Sequence, residues 1–375
     1  MNKIYTNSAS ERREGLACRR LVMGISGPEL SGEERGWLQN HSPAGIILFS
    51  RNLTDLATLL NLVRSIREVT PVPPTLWIDQ EGGRVQRLRT PFTRYPSPLR
   101  FARHEGKTSL EEARHLAYLA GSLNGMELQS VGIGVNCAPV LDIWEEGADP
   151  VIGERAFGRD PQQVIRLAGA WLAGFSQQGG LAMGKHFPGH GAATADSHHA
   201  LPVVQHGLDH LLRRELLPFQ ALLPQLPALM TAHLVATAID AENPATCSSG
   251  WLREWLRDRW GYQGLIVSDA LEMKALSGTL ADRATRAIQA GCDLVLCCTG
   301  RLDDSLTTLE GIIPALDDEA VAMDRRIEVT LAPVRVAPGD PWQLMKDETY
   351  QHDRRLVERL AEETLANDPT EWNLV

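Results

Sequence analysis

The side chains best able to do chemistry are concentrated in one stretch of the sequence. It reads Lys-His-Phe-Pro-Gly-His-Gly at 185–191 and continues to Asp196-Ser197-His198-His199, which places four histidines within fourteen residues. In an extended loop, residues i and i+2 point the same way, so Asp196 can orient the His198 imidazole and favour its protonated form. A modest rise from the ordinary imidazole pKa of ~6.5 suits a general acid at neutral pH. The alternative is that His198 is a solvated loop residue.

The first two histidines of this stretch, His186 and His190, have the i, i+4 spacing of a helical zinc site. Pro188 and Gly189 lie between them and break a helix, so the two rings need not face one another. The residue after His186 is also not the Glu that would act as the base of a zinc hydrolase. We therefore expect no metal site here.

A second candidate is Asp269, which ends the apolar run Gly264–Asp269. A carboxyl group with an ordinary pKa of about 3.9 is ionised at neutral pH, a state that suits a nucleophile better than an acid. An Asp in this position can also simply cap the next helix. Glu272 is the rival carboxylate, and we expect it on the first turn of that helix.

Short apolar runs alternate with longer amphipathic stretches, a rhythm typical of repeated βα units around a parallel sheet. Eight candidate strands can be counted, at Arg20–Ser26, Ala44–Phe49, Thr75–Asp79, Gly134–Val140, Ala182–Phe187, Ala228–His233, Gly264–Asp269 and Asp293–Cys298. Candidate helices lie between or after them, at Asp55–Val69, Glu111–Ser130, Pro161–Gln178, Leu208–Leu223, Ser249–Trp260, Ala281–Ala290 and Leu302–Leu316. We predict an α/β fold, a TIM-type (β/α)8 barrel over residues 1–317, with a helical extension over 318–375.

In such a barrel the active site forms where the strands end. Polar residues occupy these ends: Asp79, Asp142, Lys185 with His186, His233 and Asp269 each end or follow a different strand. Any one of them could cap a helix, but convergence from five strands indicates a catalytic site.

Composition limits the partners of the protein. Of its 375 residues 43% are hydrophobic and 22% charged, as in folded globular proteins, and the formal net charge of −10 argues against nucleic acid. The first twenty residues contain no apolar signal segment, and no later run of eighteen apolar residues could span a bilayer, so we expect a cytoplasmic protein without a membrane partner. We expect the six scattered cysteines to be free thiols, and Cys292, Cys297 and Cys298 to be buried and inert.

Two further segments combine charge with glycine, at 79–87 (DQEGGRVQR) and 153–155 (GER). Glycines there permit close approach of the backbone to a polyhydroxylated ligand. The Gly82-Gly83 pair lacks the spacing of nucleotide-binding loops, so no phosphate-bound cofactor is expected.

Together these motifs resemble family 3 glycoside hydrolases, in particular the single-domain bacterial β-N-acetylhexosaminidases of peptidoglycan recycling. The resemblance covers about Leu21–Cys298. It rests on KHFPGHG followed by DSH, on DQEGGRVQR, on APVLD at Ala138–Asp142, on GER, and on SDAL at Ser268–Leu271, all in the expected order. Ala270 stands where many such enzymes carry a second Asp, and Glu272 where a small polar residue is common.

The resemblance implies a retaining exo-β-N-acetylglucosaminidase that acts on muropeptide fragments. It implies that Asp269 is the nucleophile and that His198, backed by Asp196, is the acid/base. It also implies that the sugar hydroxyls are held by five residues, Asp79, Arg87, Arg155, Lys185 and His186. No cofactor or metal is expected, and the protein is expected to be a monomer or a weak homo-oligomer. Two alternatives stay open: a phosphorylase of the same branch, and a non-catalytic sugar-binding protein.

Overall fold

The computed structural model describes residues 9–145, 150–191, 201–316 and 320–367. Within these ranges eight parallel strands close into a barrel. They are β1 Leu21–Gly24, β2 Gly45–Leu48, β3 Thr75–Ile78, β6 Val135–Asn136, β7 Leu181–Phe187, β9 Ala228–Thr231, β11 Leu265–Ala270 and β12 Leu294–Cys297. Their order around the barrel is β1-β12-β11-β9-β7-β6-β3-β2. Two short two-stranded sheets lie outside the barrel. One pairs β4 Gln80–Gly82 with β5 Val85–Gln86, and the other pairs β8 Val203–Val204 with β10 Val235–Ala236. The predicted TIM-type barrel is confirmed, and each of its strands falls on a predicted strand.

The barrel strands are apolar at nearly every position because both faces of the sheet are buried. Side chains alternate along each strand, so Val22 packs inside the barrel while its neighbours Leu21 and Met23 face the surrounding helices. Trp77 is fully buried in the inner cluster, and its indole Nε1 donates to the Thr75 hydroxyl at 2.6 Å. The inner positions fill the barrel, so its centre is a packed core and only its ends are open to ligands.

Helices surround the barrel: α1 Ala9–Cys18, α2 Gly32–Leu38, α3 Leu56–Val69, α4 Pro98–Glu105, α5 Leu110–Ser130, α6 Pro161–Gln177, α7 Leu208–Arg213, α8 Leu217–Leu222, α9 Leu280–Ala290, α10 Leu302–Ala315, α11 Ala320–Leu331, α12 Pro341–Leu344 and α13 Glu348–Asn367. A wider helix with π-type bonding spans Gly250–Arg259. Asp160 caps α6 by accepting from the Gln163 N–H at 3.0 Å, and Pro161 follows in the first turn.

The continuous helix predicted over Leu208–Leu223 was wrong. The structure has two short helices, α7 and α8, separated at Arg214–Leu216. Pro218 lies in the first turn of α8, where its missing N–H costs nothing. Inside one long helix the same proline would remove a hydrogen bond and clash with the preceding turn, so the chain restarts instead.

The segment that follows α10 closes the N-terminal end of the barrel. Met323, Ile327 and Leu331 of α11 belong to the same buried cluster as the inner barrel side chains. Asp293, directly before β12, is fully buried and pairs with Arg326 of α11 at 2.7 Å and with Arg257 at 2.5 Å. Part of the segment predicted as an extension thus completes the barrel core.

The last helix, α13, is attached to the barrel through buried polar groups. The Tyr350 hydroxyl donates to Glu127 of α5 at 2.7 Å, and the Tyr95 hydroxyl donates to the same carboxylate at 2.8 Å. Arg354 donates to the Pro91 carbonyl at 2.9 Å. These bonds tie α13 to α5 and to the segment that precedes α4. No helix in the described part of the chain is long and apolar enough to cross a membrane.

Candidate functional site

A cavity of about 480 Å³ opens at the carboxyl ends of the barrel strands, within the size range of small-molecule sites. Side chains that follow different strands line it, as expected for this fold. They include Asp79, Glu81, Arg87, Arg155, Lys185, His186 and Asp269, with Phe49, Met230 and Cys298 as less polar walls. The sequence-based expectation that polar strand ends converge is therefore confirmed for Asp79, Lys185 with His186, and Asp269, whereas Asp142 and His233 do not line the cavity.

Lys185 connects two carboxylates on the floor of the cavity. Its ammonium lies 2.8 Å from Asp79 Oδ1 and 2.6 Å from Glu81 Oε1. Arg155 binds Glu81 in a bidentate pair at 2.8 and 2.9 Å, and Arg87 lies 3.6 Å from Asp79 Oδ2. Paired charges of this kind form a rigid set of donors and acceptors that faces the cavity.

The ionisation of these groups is fixed by their mutual contacts. Burial alone would raise the pKa of Glu81, but the charges of Arg155 and Lys185 hold it far below its usual range. Burial would likewise lower the pKa of Lys185, whereas Asp79 and Glu81 raise it. Both partners therefore stay charged across the physiological pH range, and the network keeps one electrostatic state.

His186 is held in one orientation by Asp142. Its Nδ1 lies 2.6 Å from Asp142 Oδ2, and its Nε2 lies 3.4 Å from an Arg155 nitrogen. Since the carboxylate is an acceptor, Nδ1 carries a proton, and the Nε2 side of the ring faces Arg155. The His186 and His190 rings meet edge to face with their centroids 6.1 Å apart. The described residues include no group of three or more His, Cys, Asp or Glu side chains arranged to hold a metal ion.

Asp269 lies near the end of β11 and lines the cavity. Its Oδ1 accepts from the Ala270 N–H at 2.8 Å. Burial would raise the pKa of Asp269, but the imidazoles of His233 and His186, the Ala270 N–H and the Lys185 charge lower it. His233 is buried and donates from Nε2 to the Ala270 carbonyl at 2.9 Å, which supports the backbone at this point. The Asp269 carboxylate is thus ionised at neutral pH.

Of the predicted site residues, the structure brings six into one cavity: Asp79, Arg87, Arg155, Lys185, His186 and Asp269. Asp196 and His198 lie outside the described residues. Two residues were missed. Glu81 is the buried partner of Lys185 and Arg155, and Asp142 orients His186. Both residues belong to the motifs quoted above, and Asp142 was named as a strand end. The spacing of residues along the sequence does not show which side chains form ion pairs or hydrogen bonds with one another.

Glu272 was expected on the first turn of a helix, which was wrong. Helix α9 begins only at Leu280, capped by the Thr279 hydroxyl, and Glu272 lies on a turn before it. Its carboxylate lines the cavity and accepts from the Cys298 N–H. Cys298 was expected to be buried and inert. It is only half-buried and lines the same cavity.

The Gly82-Gly83 pair shapes the hairpin formed by β4 and β5. Both residues have positive φ, 108° and 55°; Gly82 ends β4 and Gly83 begins the turn to β5. A Cβ on Gly82 would lie 2.3 Å from the Pro96 carbonyl oxygen. The glycines therefore serve the packing of this hairpin, which carries Glu81 and Arg87 to the cavity.

Substitution Lys185→Met should destabilise the fold by about 3 kcal/mol, because it leaves two carboxylates in the cavity without their shared cation. This is the low end of the range for a broken buried ion pair, since Asp79 and Glu81 each keep an arginine partner. Urea unfolding measures it. Lys107→Met, at an exposed position, is the control and should change stability by less than about 0.5 kcal/mol. Equal stability of both variants would contradict the network described here.

Comparison with known proteins agrees with this geometry. Residues 18–328 match the glycosyl hydrolase family 3 N-terminal domain. The chain is 41% identical to a β-hexosaminidase of Tolumonas auensis over 296 residues, which cover 78% of this chain and 86% of that protein. It is 38% identical to a β-hexosaminidase of Thioalkalivibrio sulfidiphilus over 92% of this chain and 97% of that one.

Among solved structures, it is similar to NagZ from Neisseria gonorrhoeae in complex with N-trifluoroacetyl-D-glucosamine. The TM-score is 0.82 at 32% identity, over 91% of this chain and 98% of that one. The fold, the polar cavity and a family match that spans the barrel all lead to one assignment. The chain belongs to glycosyl hydrolase family 3 and is a glycoside hydrolase of the β-hexosaminidase type.

Proposed function

We propose that the protein is a retaining exo-β-N-acetylglucosaminidase that removes terminal N-acetylglucosamine from muropeptides derived from peptidoglycan. The observation that carries the proposal is the Asp269 carboxylate, kept ionised by a lowered pKa, in a cavity that also holds the paired side chains of Asp79, Glu81, Arg87, Arg155 and Lys185. A carboxylate in this state can attack the anomeric carbon and form a glycosyl-enzyme. Asp79, Arg87, Arg155, Lys185 and His186 are the proposed sugar-binding residues.

The proton donor in this proposal is His198, with Asp196 as its orienting partner. Both assignments come from the family resemblance. Asp269 attacks while His198 protonates the departing oxygen; neutral His198 then takes a proton from water, which cleaves the glycosyl-Asp269 bond. Two inversions give net retention. The surrounding polar groups fix the ring so that the attack is in line.

The N-acetylglucosamine specificity is supported by the N-acylated glucosamine bound in the similar Neisseria structure. A muropeptide substrate and a cytoplasmic location are parts of the proposal that rest on the resemblance. Hydrolysis of N-acetylglucosaminyl-β-1,4-anhydro-muramoyl fragments, compared with chitin oligosaccharides of equal length, tests the substrate. Faster turnover of the chitin oligosaccharides would contradict the muropeptide assignment.

Hydrolysis is preferred over phosphorolysis because of how the three cations around Asp79 and Glu81 are used. Lys185 and Arg155 are each bound to carboxylates at 2.6 to 2.9 Å, and Arg87 lies 3.6 Å from Asp79. A phosphate anion placed among them would have to displace one of these pairs or sit beside Asp79 and Glu81. Water needs no such exchange.

One experiment tests reaction and stereochemistry together. An aryl N-acetyl-β-glucosaminide is hydrolysed in an NMR tube, and the first product should be the β-anomer of N-acetylglucosamine. Added phosphate should change neither the rate nor the product. If the first product were the α-anomer, the glycosyl-enzyme mechanism would be contradicted. Formation of N-acetylglucosamine 1-phosphate would show that the protein is a phosphorylase. If no aryl alcohol were released, the protein would be a non-catalytic sugar-binding protein.

A further inference from the structure

Glu272 is a second carboxylate in the cavity that the proposed mechanism does not use. It follows the end of β11 by two residues and lines the same cavity as Asp269. Both of its carboxyl oxygens accept from the Cys298 N–H, at 3.1 and 3.2 Å. Cys298 directly follows β12. The backbone of the neighbouring strand end therefore holds this carboxylate in place above β11 and β12.

Unlike Asp79 and Glu81, Glu272 forms no ion pair within the described residues, and the charge of Arg283 acts on it only from beyond ion-pair distance. Burial raises the pKa of Glu272, and the nearby charges of Asp269 and Asp304 add to the rise. A ligand that brings an N–H group or a positive charge to this point would offset that cost.

The order of the barrel strands indicates which part of a sugar lies beside Glu272. Lys185 and His186 are on β7, two strands from β11, and Asp79 follows β3 on the opposite side of the barrel. A ring whose anomeric carbon is at Asp269 and whose hydroxyls meet those residues extends away from β12. Glu272, on the β12 side, is then next to the anomeric carbon.

The anomeric carbon is bonded to two ring atoms, the ring oxygen and C2. The ring oxygen has only lone pairs and would repel a carboxylate. C2 carries an amide N–H in N-acetylglucosamine, an ammonium group in glucosamine and a hydroxyl in glucose. A carboxylate accepts from all three, most strongly from the ammonium group because that hydrogen bond joins opposite charges.

We propose that Glu272 is a specificity-determining residue that binds the substituent on C2 of the sugar held at Asp269. It accepts from the amide N–H of N-acetylglucosamine and pairs with the ammonium group of glucosamine. The protein therefore also hydrolyses β-glucosaminides whose nitrogen is not acylated. This inference rests on the proposed function, because it places the anomeric carbon at Asp269.

The test compares three aryl β-glycosides that differ only at C2: N-acetylglucosaminide, glucosaminide and glucoside. Glu272→Gln keeps an oxygen that can accept from Cys298 N–H but removes the negative charge. It should lower kcat/KM for the glucosaminide roughly 10- to 100-fold, the range of one hydrogen bond to a charged group. Losses of only a few-fold are expected for the other two substrates.

The exposed Glu310 supplies the matched control, since Glu310→Gln should leave all three values unchanged. Thermal unfolding of both variants separates a loss of stability from a loss of specificity. Two results would overturn the inference. One is that Glu272→Gln lowers kcat/KM equally on all three substrates. The other is that the wild-type protein cleaves the N-acetylglucosaminide but not the glucosaminide. Failure of the proposed function looks different, because none of the three substrates would then be cleaved.

Discussion

Asp269→Asn should reduce kcat/KM by roughly four orders of magnitude on every aryl N-acetylglucosaminide, whatever its leaving group. The amide has almost the shape of the carboxylate and can still accept from the Ala270 N–H, so the fold is kept. It has no charge with which to form the bond to the anomeric carbon. Losses of this size follow removal of other catalytic nucleophiles. Initial-rate kinetics on activated and unactivated substrates measure it.

Azide provides a readout that a structural defect would not give. In Asp269→Ala the space of the carboxylate can admit azide, which attacks from the same side, and the expected product is the α-glycosyl azide. Asp258→Asn, at an exposed position, is the matched control and should retain full activity. Retention of more than about a tenth of wild-type kcat/KM by Asp269→Asn would rule out the proposed nucleophile.

His198→Ala should slow the hydrolysis of poor leaving groups by about 10²–10⁴-fold, the usual contribution of general acid catalysis. An aryl group that leaves as a stable anion needs no proton, so cleavage of an activated substrate should be hurt much less. Comparing 2,4-dinitrophenyl with unsubstituted phenyl N-acetylglucosaminides separates the two cases. His199→Ala changes the next residue and should have no such leaving-group dependence. Equal losses on both substrates would exclude His198 as the acid.

The pH dependence should point to the same residue. A general acid works only while protonated, so activity on a poor leaving group should fall as the pH rises through the pKa of His198, ordinarily ~6.5. Asp269 acts as the ionised form, and its lowered pKa keeps it ionised to below the usual carboxyl value of 3.8. The basic limb of kcat/KM should therefore disappear in His198→Ala. A basic limb that persists unchanged would assign it to another group.

The sequence by itself determined the barrel and the chemistry of its mouth. Strand positions could be predicted because strands buried on both faces must be apolar throughout, and the glycine, proline and polar residues that interrupt these runs mark their ends. Asp79, Lys185, His186 and Asp269 could be found because a parallel barrel brings its strand ends together at one mouth. The family motifs then connected these residues to one reaction.

The tertiary structure alone decided how the charges of the site are paired. Glu81 bonds Lys185 and Arg155, which lie 104 and 74 positions away along the chain, and such contacts leave no periodic trace in a sequence. The turn that carries Glu272 depends on a hydrogen bond to the Cys298 N–H of the next strand end. Closure of the N-terminal end of the barrel by α11 likewise depends on a buried cluster to which all eight barrel strands contribute side chains. Local pattern fixes what each segment becomes, whereas long-range packing fixes which side chains meet and therefore which groups hold their charge.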